Sequence, residues 1–99
     1  MRLRYAPRAR TDIVEIHDYI AKHNLRAATT VIQRIRATGR LLERHPGLAR
    51  DTNIAGVRVL LVVRYPFLIY HRLTKKEVVV IHIRHASRDI PTPSDFQMR

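Results

Sequence analysis

The sequence predicts an α+β fold of order β-α-α-β-β-β, in which an N-terminal strand and an antiparallel two-helix hairpin accompany a small antiparallel sheet. Three observations predict it. Apolar residues recur every three to four positions between Arg8 and Leu42, the period of helices with one buried stripe. From Val57 to Asp89 the chain reads VRVLLVV-RYPFLIYHR-LTKK-EVVVIHIRHASRD, three runs rich in Val, Ile, Leu, Tyr and Phe separated by short polar or proline-containing breaks. Between these two halves stands His45-Pro46-Gly47, where proline stops a helix.

Each element follows from its own residues. Arg2-Leu3-Arg4-Tyr5 alternates polar and apolar, as a short strand does, and Pro7 suits the first turn of a helix. Helix one runs from Arg8 to about His23 on a stripe of Ala9, Ile13, Ile16 and Ile20, with Asp18 and Lys22 off the stripe as a surface pair. Asn24 is the N-cap of helix two, whose stripe is Ala28, Val31, Ile32, Ile35 and Leu42 and whose arginines lie largely off it. Residues 48–56 show no periodicity and read as a loop. In the last strand Val79, Ile81 and Ile83 fall on one face and Val80, His82 and Arg84 on the other. Both faces begin apolar while the hairpin can cover one, which leaves an apolar strip beside arginines for a partner chain. Residues 1–90 read as one domain, and residues 91–99, with two prolines and no pattern, as a C-terminal tail.

Composition bounds the rest. Ninety-nine residues suffice for one modest core, burying roughly 60–70% of the unfolded surface. The absence of cysteine excludes disulfide staples and thiolate metal sites. No apolar run approaches the roughly 20 residues of a membrane span. The basic N-terminus lacks a following apolar run, so a signal peptide is not expected and the reading is a cytoplasmic protein. Nineteen Lys and Arg against eight Asp and Glu give a net charge of +11, and Lys22, Lys75 and Lys76 are the only lysines. Arginine suits bidentate contact with carboxylate or phosphate, so the charge fits nucleic acid, an acidic protein, or a solvated face.

The candidate chemistry is narrow. His17, His23 and His45 are scattered over the helices, and His82 and His85, three apart on a strand, point to opposite faces, so no metal site is expected. Glycines are confined to Gly39, Gly47 and Gly56, which leaves no phosphate-cradling loop, and Ser87 and Ser94 lack a nucleophile-elbow context. Metal-free RNA cleavage needs a base, an acid and arginines for the developing phosphate charge; His82, His85, Arg84, Arg88 and Tyr70 supply those residue types. The competing reading is sheet-edge polarity with His85 capping the core.

Several strings together resemble the ParE/RelE superfamily of toxins from bacterial toxin–antitoxin pairs. Ala6-Pro7-Arg8-Ala9 leading into Asp12-Ile13-Val14-Glu15-Ile16 and Tyr19-Ile20 resembles the opening helix of the ParE branch, and His45-Pro46-Gly47 its helix-ending turn. Arg64-Tyr65-Pro66-Phe67-Leu68-Ile69-Tyr70 resembles its central strand, and Val80 to His85 followed by Ser87-Arg88-Asp89 its closing strand. The resemblance implies a helical hairpin on a small antiparallel sheet that the N-terminal strand joins. It implies two activities: RelE-type members cut mRNA on the ribosome, whereas ParE-type members block DNA gyrase without being nucleases. In the RelE-type central strand an arginine directly precedes the leucine, where this chain has Phe67; a second arginine matches Arg88, and an expected tyrosine falls nearest Phe96.

The reading is therefore a ParE-like toxin that acts by binding gyrase rather than as an enzyme. The alternatives are a ribosome-dependent ribonuclease built from His82, His85 and Arg88, and an inactive member or general nucleic-acid binder. The implied partner is an acidic ParD-like antitoxin in a hetero-oligomer, whose disordered C-terminal segment orders on the toxin, with DNA contacted only through the antitoxin. Tyr19, Leu41, Arg58, Leu60, Phe67 and Tyr70 are the candidate antitoxin-binding residues, and Arg84, Arg88 and Phe96 the candidate target-binding residues. No cofactor is implied.

Overall fold

The computed structural model describes residues 1–87, so Arg88, Phe96 and the tail lie outside the described residues. The chain runs β1 (Arg2–Tyr5), α1 (Pro7–Ala21), α2 (Leu25–Arg44), a 3₁₀ turn at Pro46–Leu48, β2 (Arg50–Asp51), β3 (Arg58–Leu61), β4 (Phe67–Leu73) and β5 (Glu77–His85). The order of strands across the sheet is β1-β5-β4-β3-β2. β3, β4 and β5 form the expected antiparallel meander, while β1 joins β5 in parallel, Tyr5 lying opposite Val80.

Local chemistry explains the boundaries. Pro7 occupies the first turn of α1, where its missing N–H costs nothing. Asn24 caps α2, its side-chain oxygen accepting from Ala27 N at 3.0 Å. Asp18 pairs with His17 at 3.2 Å rather than with Lys22, which forms the C-cap of α1. Between β3 and β4, Tyr65 N bonds back to Val62 O and Arg64 takes a φ of +74°, as the third position of a type II turn requires.

Two features escaped the sequence pattern. Within the expected 48–56 loop lies β2, two residues long and too short for any periodicity, set opposite β3 by a turn in which Thr52 Oγ1 contacts the oxygens of Ile54 and Val57. The second is a bulge. Tyr70 faces His82 but His71 faces Val80, so Ile81 is an extra residue on β5. Alternation therefore shifts: Val78, Val80 and Ile83 pack toward the helices, while Val79 and Ile81 face the other way.

The main core joins Ala9 and Ile13 of α1 and Val31, Ile35 and Leu42 of α2 to Phe67, Ile69, Val78, Val80 and Ile83. Each such buried aliphatic side chain contributes on the order of 1.5–3 kcal/mol. The opposite face is not the uncovered strip the sequence suggested. Val57, Val59, Tyr70, Val79 and Ile81 form a second buried cluster with Ala6, against which Ile54 and Leu68 pack. Among the described residues, no helix is long and apolar enough to cross a membrane.

Candidate functional site

The two sides of the β5 bulge are chemically distinct. Parallel pairing with β1 ends where Ala6 N bonds Val80 O, and the bulge then turns Ile83 N toward α1. Asp12 meets it there. Its Oδ2 accepts from Ile83 N at 2.9 Å and from His82 Nδ1 at 2.7 Å, while Oδ1 accepts from Arg8 at 3.2 Å. His82 is buried, and its ring stacks at 24° on Tyr70 with centroids 6.1 Å apart. A buried carboxylate satisfied by three donors is a structural clamp that replaces the missing strand.

His85 lies on the other face, edge-on to Phe67 at 5.5 Å. Its Nδ1 accepts from Ser87 N at 3.1 Å and from the Ser87 hydroxyl at 2.6 Å. The two histidines thus fall on opposite faces, as their spacing predicts, and do not converge on one reacting atom. Arg84, opposite Leu68, shares the face of His82.

The candidate antitoxin-binding residues occupy separate places. Tyr19, 69% exposed, stands near the helical turn, edge-on to His23. Leu41, 38% exposed, lies near the far end of α2, on the order of 20 Å along the hairpin. Arg58 reaches that same end, bonding Ala49 O at 3.2 Å and Pro46 O at 3.5 Å and approaching Asp51 at 3.5 Å. Leu60, beside it on β3, is half-buried against the main core. Phe67 and Tyr70 are both buried, on opposite faces of β4. Leu41, Arg58 and Leu60 are brought to one corner; Tyr19, Phe67 and Tyr70 are not.

Sequence reasoning missed what completes that corner. Val62 N bonds Phe67 O, so alternation turns the N–H and C=O of Leu61 outward. At that edge β2 reaches only as far as Arg50 opposite Val59, because the chain before it turns into the 3₁₀ segment. Leu48 closes the 3₁₀ turn two residues before Arg50, its N–H bonded back to His45 O. Leu48, Leu61 and Val63 are all more than half exposed, with Arg50 and Arg64 exposed nearby in the chain. A short open strand edge flanked by apolar side chains and arginines can accept an extended segment. An apolar Leu61 carries no sequence signal of exposure; only the register reveals it.

Comparison with known proteins gives this geometry a family. The model for the ParE toxin of the type II toxin–antitoxin system parDE matches residues 3–90. The chain belongs to the ParE toxin family. It is 30% identical over 90 residues to the protein Y4kP of Sinorhizobium fredii, covering 91% of this chain and 93% of that one. The structure of a chromosomal ParDE toxin–antitoxin system from P. aeruginosa matches with a TM-score of 0.79 at 27% identity, covering 88% of this chain and 97% of that one. The two chains therefore share the fold described above over most of their length.

Proposed function

We propose that this ParE-family toxin acts by binding DNA gyrase and is neutralised by an acidic ParD-like antitoxin. The observation that carries the antitoxin half is the open corner at Leu61, where backbone groups without a partner among the described residues, three exposed apolar side chains and arginines come close. An acidic segment that orders there adds main-chain hydrogen bonds, buries Leu48, Leu61 and Val63, and pairs its carboxylates with arginine. Leu41, Arg58 and Leu60 border the same corner, with Phe67 and Tyr70 as buried support beneath the sheet surface; Tyr19 is a separate contact along the hairpin.

Binding rather than RNA cleavage is supported by where the histidines are spent. His82 is buried and held by Asp12, His85 is held by Ser87 on the other face, and Phe67 occupies the place of the RelE-type arginine. Target contact is proposed for Arg84 with Arg88 and Phe96. Induced expression without antitoxin tests this reading, with plasmid supercoiling and mRNA integrity followed in one culture. Loss of supercoiling or DNA damage with intact transcripts is the expected result. Rapid transcript cleavage with normal DNA overturns it in favour of the ribonuclease built on His82, His85 and Arg88.

A further inference from the structure

The edge of the sheet farthest from the Leu61 corner is β1, and arginines from both helices converge on it. Arg10 donates to the Tyr5 carbonyl oxygen at 2.9 Å. The Arg36 guanidinium lies 5.8 Å from the centroid of the Tyr5 ring, and Arg40, one helical turn on, joins Arg36 in opposing the rise that burial imposes on the Tyr5 hydroxyl pKa. Arg44 continues the same row of α2. All four arginines are exposed, and none forms an ion pair among the described residues. Most of the described acids are engaged elsewhere: Asp12 with Arg8, Asp18 with His17, Asp51 with Arg58 and Glu77 with Arg4. Glu43, beside the row, accepts from Leu3 N at 3.0 Å.

We propose that the Arg36–Arg40–Arg44 row, with Arg10 beside it, is a contact surface for the phosphate backbone of a nucleic-acid duplex. The row advances about 6 Å per arginine along a rigid helix, and guanidinium groups bind phosphate bidentately. Its base is fixed, because the Tyr5 hydroxyl packs so closely on Gly39 that a Cβ there would lie 2.5 Å away. An acidic peptide is the poorer fit. It needs several apolar anchors to order, and the row is bordered by one partly exposed apolar side chain, Leu41; the exposed Leu61 and Val63 lie at and just beyond the end of β3 on the opposite half of the sheet. A single strand is also the poorer fit, since the Tyr5 ring lies half-buried beneath Arg36 and offers no open stacking face. Arg36, Arg40 and Arg10 lie apart from the proposed gyrase and antitoxin contacts, while Arg44, one helical turn from Leu41, adjoins the antitoxin corner. It lets the toxin touch DNA directly, where the family resemblance had implied contact only through the antitoxin.

Binding of the full chain to a short fluorescent DNA duplex, followed by anisotropy across a salt series, tests the proposal. R36Q/R40Q/R44Q should lower the slope of log affinity against log salt by about 2–3, close to 0.9 for each phosphate no longer neutralised. K22Q/R50Q/R64Q removes equal charge away from the row and should change the slope by less than about 1. Arg44→Gln alone, whose exposed side chain makes no hydrogen bond or ion pair among the described residues, should lower it by about 1 and serves if the triple variant misfolds. Equal losses in both triple variants would overturn the proposal in favour of net charge alone. Absence of duplex binding by the unaltered chain at about 50 mM salt, or tighter binding of a polyglutamate peptide than of duplex, would overturn it too.

Discussion

The two edges of the sheet are finished in opposite ways. At the β1 edge, helix side chains take up part of the outward backbone: Glu43 accepts from Leu3 N, Arg10 donates to Tyr5 O, and beyond the end of β1 Asp12 accepts from Ile83 N. At the other edge β2 covers two residues of β3 and stops, so Leu61 faces outward with no backbone partner among the described residues and its side chain 55% exposed. Sealing an edge with charged side chains prevents strand addition, and leaving it open beside apolar residues invites it. One edge of this toxin thus presents arginines over a backbone partly taken up by helix side chains, and the other presents backbone beside apolar side chains.

The sharpest way to break the contrast is to unseal one edge and block the other in matched assays. Asp12→Ala removes the acceptor of the buried Ile83 N and of His82 Nδ1, and should cost about 2–4 kcal/mol in urea unfolding. Asp12→Asn keeps an acceptor for Ile83 N and should cost about half as much. Close packing at the sealed edge gives the next largest effect. Gly39→Ala drives a Cβ into the Tyr5 hydroxyl and should destabilise by about 1–3 kcal/mol. Tyr5→Phe removes a hydroxyl that is buried without a hydrogen-bond partner among the described residues, so it should recover much of that loss in the double variant.

The open edge should behave in the reverse sense. Leu61→Lys should change stability by less than about 0.5 kcal/mol, since the side chain is largely in solvent. The same change should weaken antitoxin binding about tenfold, roughly 1.4 kcal/mol, as read by calorimetry. Antitoxin binding that is unaffected by Leu61→Lys but lost in Tyr19→Ala would move the docking surface from the sheet corner to the hairpin.

The smallest predicted effect concerns His71, wholly buried beside Arg58, with Nδ1 donating to Ile69 O and Nε2 lacking a partner among the described residues. Burial is the main cause lowering its pKa and Arg58 adds to it, while the Ile69 hydrogen bond partly opposes them. The unfolded chain then binds the proton more readily, so stability present above about pH 6.5 declines as pH falls through the folded-state value. Urea midpoints of the wild type and His71→Leu measured from pH 7.5 to 5 should diverge at the acid end, with the wild type falling faster.

Much of the fold was legible because it rests on local rules. Asn24, Pro7 and His45-Pro46-Gly47 set the helices, and the three apolar runs gave the meander. What escaped depends on contacts across the chain. The Ile81 bulge reassigns the faces of β5, and the Asp12–His82 bond joins residues 70 positions apart, so neither has a local signature. The same limit applied to the site. Phe67 and Tyr70 were singled out as aromatic strand residues, and the pairing register buries both; Leu61, indistinguishable from a core leucine in sequence, is the residue left facing out.

Amide hydrogen exchange at Leu61, measured in the free toxin and in its antitoxin complex, tests the central contrast most directly. Free, Leu61 N–H should exchange far faster than Ile83 N–H at the sealed edge; on binding it should become protected while Ile83 scarcely changes. A Leu61 amide that is already protected in the free chain, or that stays unprotected in a saturated complex, would contradict the account.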